Sequence, residues 1–274
     1  MTWLNVDIRK KMYGNGCCAI ENLSFSAQPG EFVAVMGPSG AGKTTLLNLV
    51  AGLDRVMAGC ITFQSGPAVQ DRPRTGFMFQ EPRLMPWLTV QQNLALVLAP
   101  PSCPPLTTPL PELLMRVGLE GCGDLYPPQL SGGMQRRVAL LRAFIVEPEL
   151  LLMDEPFQSL DAPTAQQLRT LLQDLWQRRH PTVLFVTHSL REALSLADRV
   201  LFFSPRPSRV ILDIPISLKA PRTLEDPSVQ RLHESLLNQY PQLLGGCLSE
   251  PQASPASGVA LATLTDPGNL LFSE

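Results

Sequence analysis

Short, continuously apolar runs alternate along this chain with stretches whose apolar residues recur at helical spacing. Phe32–Met36, residues 150–153 and residues 182–187 have the length and the unbroken hydrophobicity of buried strands. Residues 163–179, between the last two runs, carry leucines at i, i+3, i+4 and i+7: Leu168, Leu171, Leu172 and Leu175. This order of strand, helix and strand predicts parallel pairing within an α/β fold, in which helices cover a sheet.

Weaker patterns precede and interrupt these segments. Residues 4–8, 19–25 and 76–79 are typical of further strands. Residues 88–142 have few β-branched runs, a proline cluster at 100–105 and helical patches such as 112–117. We therefore expect a mostly helical lobe inserted into the sheet domain.

The loop after Phe32–Met36 fits a phosphate-binding motif. Its nine residues satisfy the pattern G-x-x-x-x-G-K-[ST] in full: Gly37, Pro38, Ser39, Gly40, Ala41, Gly42, Lys43, Thr44 and Thr45. The glycines let backbone N–H groups point inward as an anion site, and Lys43 adds a positive charge. Thr44 offers the kind of hydroxyl that ligates phosphate-bound Mg²⁺. The alternative is an ordinary glycine-rich turn, but the flanking strand and helix favour a nucleotide site.

Polar residues follow the two later strands at the end where open α/β sheets bind their ligands. Asp154 and Glu155 follow the first of these strands, and His188 follows the second. In a phosphate-binding ATPase, Asp154 would hold Mg²⁺ through its water shell, and Glu155 would orient the attacking water and accept its proton. His188 would hydrogen-bond the γ-phosphate or that water. The alternatives are an acidic pair at a turn and a histidine satisfied by local hydrogen bonds.

A second glycine-containing segment opens the helix-forming run 134–144. Ser131 is a good N-cap residue, and Gly132 and Gly133 leave N–H groups exposed at the positive end of a helix. The segment therefore predicts a second anion site. A flexible hinge, the alternative, explains the glycines but not the basic, helix-forming continuation.

Composition and charge narrow the classes of partner. The 274 residues carry a net charge of -2, so nucleic acid is not expected as a main partner. The six cysteines are scattered and include no C-x-x-C pair, which argues against a zinc site or a disulfide framework and favours a reducing cytosol. The chain starts with no cationic signal, and no segment reaches the ~18–20 apolar residues of a membrane span. We expect a soluble chain that reaches a membrane only through a partner.

Together, these motifs resemble those of the nucleotide-binding subunit of an ATP-binding-cassette (ABC) transporter, over about residues 2–220. They occur in the family's order and at about its spacing: residues 37–45, Gln80, residues 130–134, Asp154 with Glu155, residues 159–161 and His188. The resemblance implies an α/β fold with a P-loop NTPase core, whose mixed sheet is flanked by helices, an N-terminal antiparallel β subdomain and an inserted helical subdomain. One departure is the order of Gln135 and Arg136, the reverse of the family's more frequent order, which we expect to alter ion pairs at the interface.

The resemblance also implies that two chains face each other head to tail, with ATP and Mg²⁺ at their interface. Ser131, Gly132 and Gly133 of one chain would cover the γ-phosphate of the ATP held by the other, and Asp161 would couple the two sites. Tyr13 matches the position that stacks on adenine. The implied catalytic residues are Lys43, Gln80, Glu155 and His188, and the implied metal ligands are Thr44, Gln80 and Asp154.

Residues 80–87 and 201–207 are similar to the branch of the family that serves importers of nitrate, sulfonate, taurine, bicarbonate and thiamine precursors. The implied role is to hydrolyse ATP and so power integral membrane permease subunits, at the cytoplasmic face of the inner membrane. The ATPase would act as a homodimer or with a related cassette, and an extracytoplasmic solute-binding protein would take part indirectly. Residues 80–90 would form the groove that grips the permease, with Leu84, Met85 and Trp87 as anchors or, equally, as core of the lobe.

Beyond residue 220 the resemblance fades. Residues 226–240 predict one amphipathic helix, capped by Asp226, with Val229, Leu232 and Leu236 on one face. We expect an ATPase domain over 1–220, this helix within 221–244 and a loose tail over 245–274. Two other functions stay open at this point. A non-transport cassette ATPase would need a long insertion or a second cassette, and a P-loop kinase would lack the segment 130–134.

Overall fold

The computed structural model describes residues 3–14, 16–56, 58–64, 72–98, 106 and 108–248. Its strands are β1 (Leu4–Met12), β2 (Cys18–Ala27), β3 (Phe32–Met36), β4 (Ala58–Phe63), β5 (Thr75–Met78), β6 (Leu150–Asp154), β7 (Thr182–Val186), β8 (Arg199–Phe203) and β9 (Val210–Pro215). Its α-helices are α1 (Lys43–Ala51), α2 (Val90–Leu98), α3 (Leu110–Arg116), α4 (Gly132–Phe144), α5 (Ala162–Arg179), α6 (Leu190–Leu196) and α7 (Pro227–Gln239).

The larger sheet has six strands in the order β5-β6-β7-β3-β8-β9. The first five pair in parallel, and β9 runs antiparallel to β8. Every residue of β3, β6 and β7 is buried, which is why these strands are apolar without interruption in the sequence. The predicted mixed sheet flanked by helices is confirmed.

Hydrophobic residues cover both faces of this sheet. Phe32, Ala34 and Met36 of β3 belong to one buried cluster, and Val33 and Val35 belong to another, because successive side chains of a strand point to opposite faces. Helices α5, α6 and α7 pack on the first face, and α1 packs on the second. The carboxyl ends of β3, β6 and β7 are thereby held at one edge, where the loops that follow them meet.

A smaller sheet in the order β2-β1-β4 confirms the predicted antiparallel β subdomain. The strand β4 was not predicted from the sequence. Its residues are mostly exposed and start with alanine, glycine and cysteine, so they show little of the alternation that marks a half-buried strand. Pairing with β1 makes β4 a strand despite this weak local pattern.

Helices α2, α3 and α4 share a third cluster, which includes Val90, Leu94, Leu114, Val138 and Leu141. Helix α4 also contributes Leu140, Ala143 and Phe144 to the first face of the large sheet. It therefore joins the helical region to the sheet, and the lobe boundaries 88–142 remain a prediction. The proline cluster at 100–105 lies outside the described residues.

The C-terminal helix predicted over 226–240 is found as α7. Val229 and Leu236 are buried in the first cluster, with Leu232 partly buried beside them. Asp226 occupies the N-cap position as predicted, with Pro227 in the first turn, but its carboxylate accepts a hydrogen bond from the backbone N–H of Thr223 and makes none to the helix. Of the predicted tail, residues 245–248 are described. No helix of the described ranges is long and apolar enough to cross a membrane.

Candidate nucleotide-binding site

The phosphate loop connects β3 to α1 at the carboxyl edge of the large sheet. Gly40 and Gly42 have φ angles of 77° and 76°, a backbone conformation that glycine adopts without strain. Gly42 is the N-cap of α1, and no side chain caps this end of the helix. The first N–H groups of α1 are therefore available to a bound anion, and the helix dipole favours a negative charge there.

Lys43 lies over this loop and is buried. Its Nζ donates hydrogen bonds to the carbonyl oxygens of Gly37, at 2.8 Å, and Pro38, at 3.0 Å. Burial lowers the pKa of Lys43, and the nearby carboxylates of Glu155 and Asp154 partly oppose that shift. Lys43 makes no ion pair within 4.0 Å among the described residues, and a triphosphate in the loop would offer this buried cation a direct negative partner.

Thr44 and Asp154 meet between α1 and the end of β6. The Thr44 hydroxyl donates to Asp154 Oδ2 at 2.7 Å. The Asp154 side chain is buried, and this burial raises the pKa of its carboxyl group, against the hydrogen bond from Thr44. A hydroxyl and a carboxylate are hard oxygen donors of the kind that Mg²⁺ prefers, and a cation would offset the cost of a buried negative charge. The two side chains therefore fit a magnesium site.

Glu155 and His188 follow β6 and β7, and their side chains are brought together. His188 Nδ1 lies 3.2 Å from Glu155 Oε2. Glu155 has a φ of 46°, an uncommon conformation for a side chain-bearing residue, and its backbone N–H donates to the carbonyl of Val186 at 2.9 Å. The turn thus fixes a carboxylate beside an exposed imidazole at the mouth of the site.

Gln80 is not in contact with the Thr44 and Asp154 pair. Its amide donates instead to the side-chain oxygen of Gln158, in the loop between β6 and α5. This contact joins the segment after β5 to the segment after Glu155. This contact uses the amide nitrogen of Gln80, so it leaves the amide oxygen, the atom that would bind a metal, available.

Tyr13 lies at the end of β1, next to the phosphate loop. Its hydroxyl is 3.1 Å from Thr45 Oγ1 in the first turn of α1. The residue is 40% exposed, so part of its ring is open to solvent. The structure thus places an accessible aromatic ring within reach of a nucleotide whose phosphates occupy the loop.

Ser131 and Asp161 are both helix N-caps. Ser131 Oγ accepts from the N–H of Met134, and Asp161 Oδ2 accepts from the N–H of Thr164. Hydrogen bonds from Thr164 lower the pKa of Asp161. A Cβ atom added at Gly133 would lie 2.7 Å from the Thr164 side chain, so the two helix ends are neighbours. No hydrogen bond between described residues joins Ser131, Gly132 or Gly133 to the phosphate loop.

The side chains of Gln135 and Arg136, whose order is the reverse of the family's more frequent one, donate hydrogen bonds to backbone carbonyl groups of their own chain. Arg136 donates from its two terminal nitrogens to the carbonyls of Pro156, at 2.8 Å, and Gln158, at 2.7 Å. Gln135 donates to the carbonyls of Pro127 and Leu130. Arg136 thereby ties α4 to the loop that follows Glu155.

The segment 84–88 forms a turn held by Asn93 of α2. This buried amide donates to the carbonyls of Met85 and Leu88, and its oxygen accepts from the N–H of Met85 at 2.7 Å. Leu84 packs against the third cluster, whereas Trp87 is 70% exposed. Of the three predicted anchors, Leu84 thus contributes to the lobe core and Trp87 presents its ring to solvent.

Sequence reasoning missed a group of residues that packs behind the phosphate loop. A Cβ atom at Gly37 would lie 3.0 Å from Phe203, and one at Gly42 would lie 3.0 Å from the Ser208 hydroxyl. A Cβ atom at Gly246 would meet Phe203 O and Pro205 Cδ at 2.8 Å and Pro38 Cδ at 2.9 Å. The only available signal was the similarity of residues 201–207 to one branch of the family, and no local pattern indicated Gly246.

We expect alanine at position 246 to destabilise the protein and to weaken nucleotide binding. Gly246 has a φ of 79° and no room for a Cβ atom, so the substitution must displace Pro38 or the end of β8. The free energy of unfolding should fall by about 2 kcal/mol and the KM for ATP should rise. Gly245→Ala is the matched control, because a Cβ atom there meets nothing within 4 Å. Equal melting temperatures and KM values for the two variants would contradict the contact.

Comparison with known proteins places this geometry in a family. The family described as "ABC transporter" matches residues 20–158. An aliphatic sulfonates import ATP-binding protein, SsuB, of Bacillus licheniformis is 38% identical over 86% of this chain and 94% of its own length. The SsuB 2 protein of Burkholderia lata is 40% identical over 88% of this chain and 87% of its own.

Solved structures agree with this assignment. A dimeric bacterial ABC transporter cassette, MJ0796, superposes with a TM-score of 0.66 and 28% identity, covering 79% of this chain and all of that one. The same cassette in a dimeric, post-hydrolysis state bound to ADP and phosphate gives a TM-score of 0.64. Because the family, the fold and the phosphate loop all match ABC cassettes, the alternative interpretation of the chain as a P-loop kinase is rejected. This chain belongs to the ABC transporter family, and it is an ATP-binding subunit whose hydrolysis of ATP powers transport.

Proposed function

We propose that this chain powers the import of a small sulfonate, or of a related small anionic or nitrogen- or sulfur-containing solute, through a membrane permease. The observation that carries the proposal is the 38–40% identity, over most of the chain, to ATP-binding proteins named for aliphatic sulfonate import. Nitrate, taurine, bicarbonate and thiamine precursors are the other solutes of the branch to which residues 80–87 and 201–207 are similar. Among these, the relatives favour the sulfonate.

The test is uptake by the reconstituted transporter. The chain is purified in complex with a sulfonate permease, placed in proteoliposomes with that permease's solute-binding protein, and supplied with ATP on the side of the ATPase. We expect uptake of radiolabelled ethanesulfonate that exceeds the uptake of nitrate and bicarbonate. Uptake of another solute with none of the sulfonate would contradict the assigned cargo, and ATP-driven efflux would contradict import.

Within the site, the proposed roles follow from charge and position. Lys43 and the N–H groups at the start of α1 would neutralise the β- and γ-phosphates, a task that dominates phosphoryl transfer. Thr44 and Asp154 would hold Mg²⁺, which supplies further positive charge at these phosphates when bound. Gln80 would complete this set through its amide oxygen, while its amide nitrogen donates to Gln158.

Glu155 would position the attacking water and accept its proton. Its backbone turn fixes the carboxylate at the edge of the sheet, and the contact with His188 restrains the side-chain oxygen. His188 would in turn hydrogen-bond the γ-phosphate or the water from its remaining nitrogen. The pair therefore orients the nucleophile, with proton acceptance assigned to the carboxylate.

Each nucleotide would lie between two chains. Ser131 and Gly132, at the N-terminal end of α4, are exposed, and no hydrogen bond between described residues joins them to the phosphate loop. The dimeric cassette structures support a pair of chains. In the pair proposed here, the chains would face head to tail and this end of α4 would cover the γ-phosphate bound by the other chain. Asp161, adjacent to it through Thr164, would couple the two sites. Two copies of this chain, or this chain and a related cassette, would form the pair.

Substitutions at Ser131 separate the capping role from the proposed contact with ATP. Ser131→Asp keeps an oxygen that accepts from the N–H of Met134, so the melting temperature should stay close to that of the wild type. Its negative charge would face the triphosphate on the other chain, and ATPase activity should fall by about 100-fold. Ser131→Ala is the matched variant, which should lose about 1 kcal/mol of stability with a smaller loss of activity.

Calorimetry and phosphate release measure these two effects. ATPase activity of Ser131→Asp equal to that of the wild type would show that this helix end never meets the nucleotide.

Trp87 would be the principal apolar anchor for a cytosolic helix of the permease. Its exposure contrasts with the partial burial of Leu84, and Asn93 fixes the turn that presents it. An exposed, rigidly held aromatic residue is typical of an interface hot spot. This docking would place the chain at the cytoplasmic face of the inner membrane.

The proposed organisation of the chain is an ATPase domain over residues 1–220, a helix within 221–244 and a tail over 245–274.

A further inference from the structure

A buried lysine lies directly beneath the ring of Tyr13. Lys11, on β1, is 7% exposed, and its Nζ is 4.9 Å from the centroid of the Tyr13 ring. The same nitrogen donates to Asp54 Oδ1 at 2.6 Å and to the carbonyl of Arg55 at 3.0 Å. Lys11 thus connects β1 to the segment that follows α1, 43 residues later in the sequence.

The hydroxyl of Tyr13 contacts both α1 and the segment that follows α1. It lies 3.1 Å from Thr45 Oγ1, on α1, and donates to Asp54 Oδ2 at 3.4 Å. The backbone of Tyr13 is also fixed, because its N–H donates to the carbonyl of Cys17 at 3.0 Å. The ring therefore has a restrained hydroxyl, a restrained backbone and a cation on one face, while the residue keeps 40% of its surface exposed.

The charges of this cluster are matched. A buried ammonium group is costly unless it is paired, and Asp54 pairs it. The hydrogen bond from Lys11 lowers the pKa of Asp54, and the N–H of Arg55 also donates to Asp54 Oδ1 at 2.7 Å. A cation over an aromatic face is itself attractive, because the ring face carries partial negative charge. Lys11 therefore occupies one face of the ring in a stable arrangement.

We propose that Lys11 and Asp54 are positioning residues for ATP, which hold the Tyr13 ring so that its open face receives the adenine base. This inference rests on the proposed nucleotide site and adds to it two residues outside the phosphate loop. Because Lys11 covers one face, the base can stack only on the other. Because Asp54 and Thr45 hold the hydroxyl, the ring is oriented before ATP arrives, and less conformational entropy is lost on binding.

The inference is tested with Lys11→Met, Asp54→Asn and Tyr13→Ala, assayed for the KM and kcat of ATP hydrolysis. We expect each substitution to raise the KM for ATP by about 5–20-fold, which corresponds to the loss of one stacking or cation–π contact. The kcat should change less than twofold. Lys10→Met is the matched control, since Lys10 is the exposed neighbour of Lys11 on β1, and its KM should not change. Lys11→Arg, which keeps the cation, should restore most of the affinity.

Two further measurements separate positioning of the base from general damage. The inhibition constant of inorganic triphosphate, which carries the phosphates but no base, should be unchanged in Lys11→Met. Adding Lys11→Met to Tyr13→Ala should weaken ATP binding no further, because Lys11 acts through the ring.

The outcomes distinguish the inference from the proposed site. If Tyr13→Ala weakens ATP binding but Lys11→Met and Asp54→Asn do not, the inference is overturned and the site stands. Equal weakening of ATP and inorganic triphosphate would also overturn it, because the lysine would then support the phosphate loop. If Tyr13→Ala leaves ATP affinity unchanged, the assignment of Tyr13 as the residue that stacks on adenine is itself wrong.

Discussion

Lys43→Ala is expected to reduce ATP hydrolysis by at least about 10²–10³-fold, the cost of losing one preorganised group that stabilises the developing charge. The substitution removes the positive charge held over the phosphate loop by the carbonyls of Gly37 and Pro38. The affinity for ATP should fall as well, since the N–H groups of α1 would remain as the main anion donors. Phosphate release under saturating ATP measures the first effect, and calorimetric titration measures the second.

The melting temperature of Lys43→Ala shows whether the variant stays folded, since the substitution removes a buried side chain that donates two hydrogen bonds. Lys10→Ala, which removes an exposed lysine, is the matched control and should hydrolyse ATP normally. Retained turnover in Lys43→Ala would show that the phosphates bind elsewhere.

Glu155→Gln is expected to abolish turnover while leaving ATP bound, and so to produce a stable ATP-dependent dimer. Glutamine has nearly the same shape and can keep a hydrogen bond to His188, but it cannot accept the proton of the attacking water. The loss in kcat should again be at least about 10²–10³-fold, in the range of a missing general base or electrostatic group. Light scattering after gel filtration, with and without ATP and Mg²⁺, measures the mass of the complex.

Lys43→Ala and Glu155→Gln are expected to differ in whether ATP makes them dimerise. Lys43→Ala should form no ATP-dependent dimer, because it lacks the nucleotide that joins the chains, whereas Glu155→Gln should form one. Glu120→Gln changes an exposed glutamate of the helical region and should behave as the wild type in both assays. A Glu155→Gln protein that stays monomeric with ATP would refute the proposed head-to-tail arrangement.

Several parts of the site could be predicted because the chemistry is contiguous in the sequence. The phosphate loop occupies nine consecutive residues between an apolar strand and a helix, and the structure places them as predicted at the end of β3. Asp154 is likewise the last residue of β6 and Glu155 follows it directly, and parallel pairing then brings them to the same edge as Lys43. Their contacts follow from strand order and from the direction of the strands.

Other contacts join residues that are distant in sequence and carry no local signal. Gln80 bonds Gln158, Lys11 bonds Asp54, and Gly246 lies against Pro38. Each depends on how separately formed elements dock. Asp226 shows a related effect: it is the N-cap residue of α7 as predicted, but its carboxylate bonds the backbone N–H of Thr223 in the preceding turn and not the helix.

The sequence by itself determined the family and the α/β class and predicted which residues bind phosphate, because a glycine-rich loop, its lysine and its flanking hydrophobic periods are local features of the chain. Tertiary structure decided what surrounds that loop. Packing between elements that are distant in sequence buries Lys43 and Asp154. It also pairs Lys11 with Asp54 beneath Tyr13 and places Phe203 and Gly246 behind the phosphate loop. Such contacts depend on three-dimensional distance, which the local pattern of residue types does not specify.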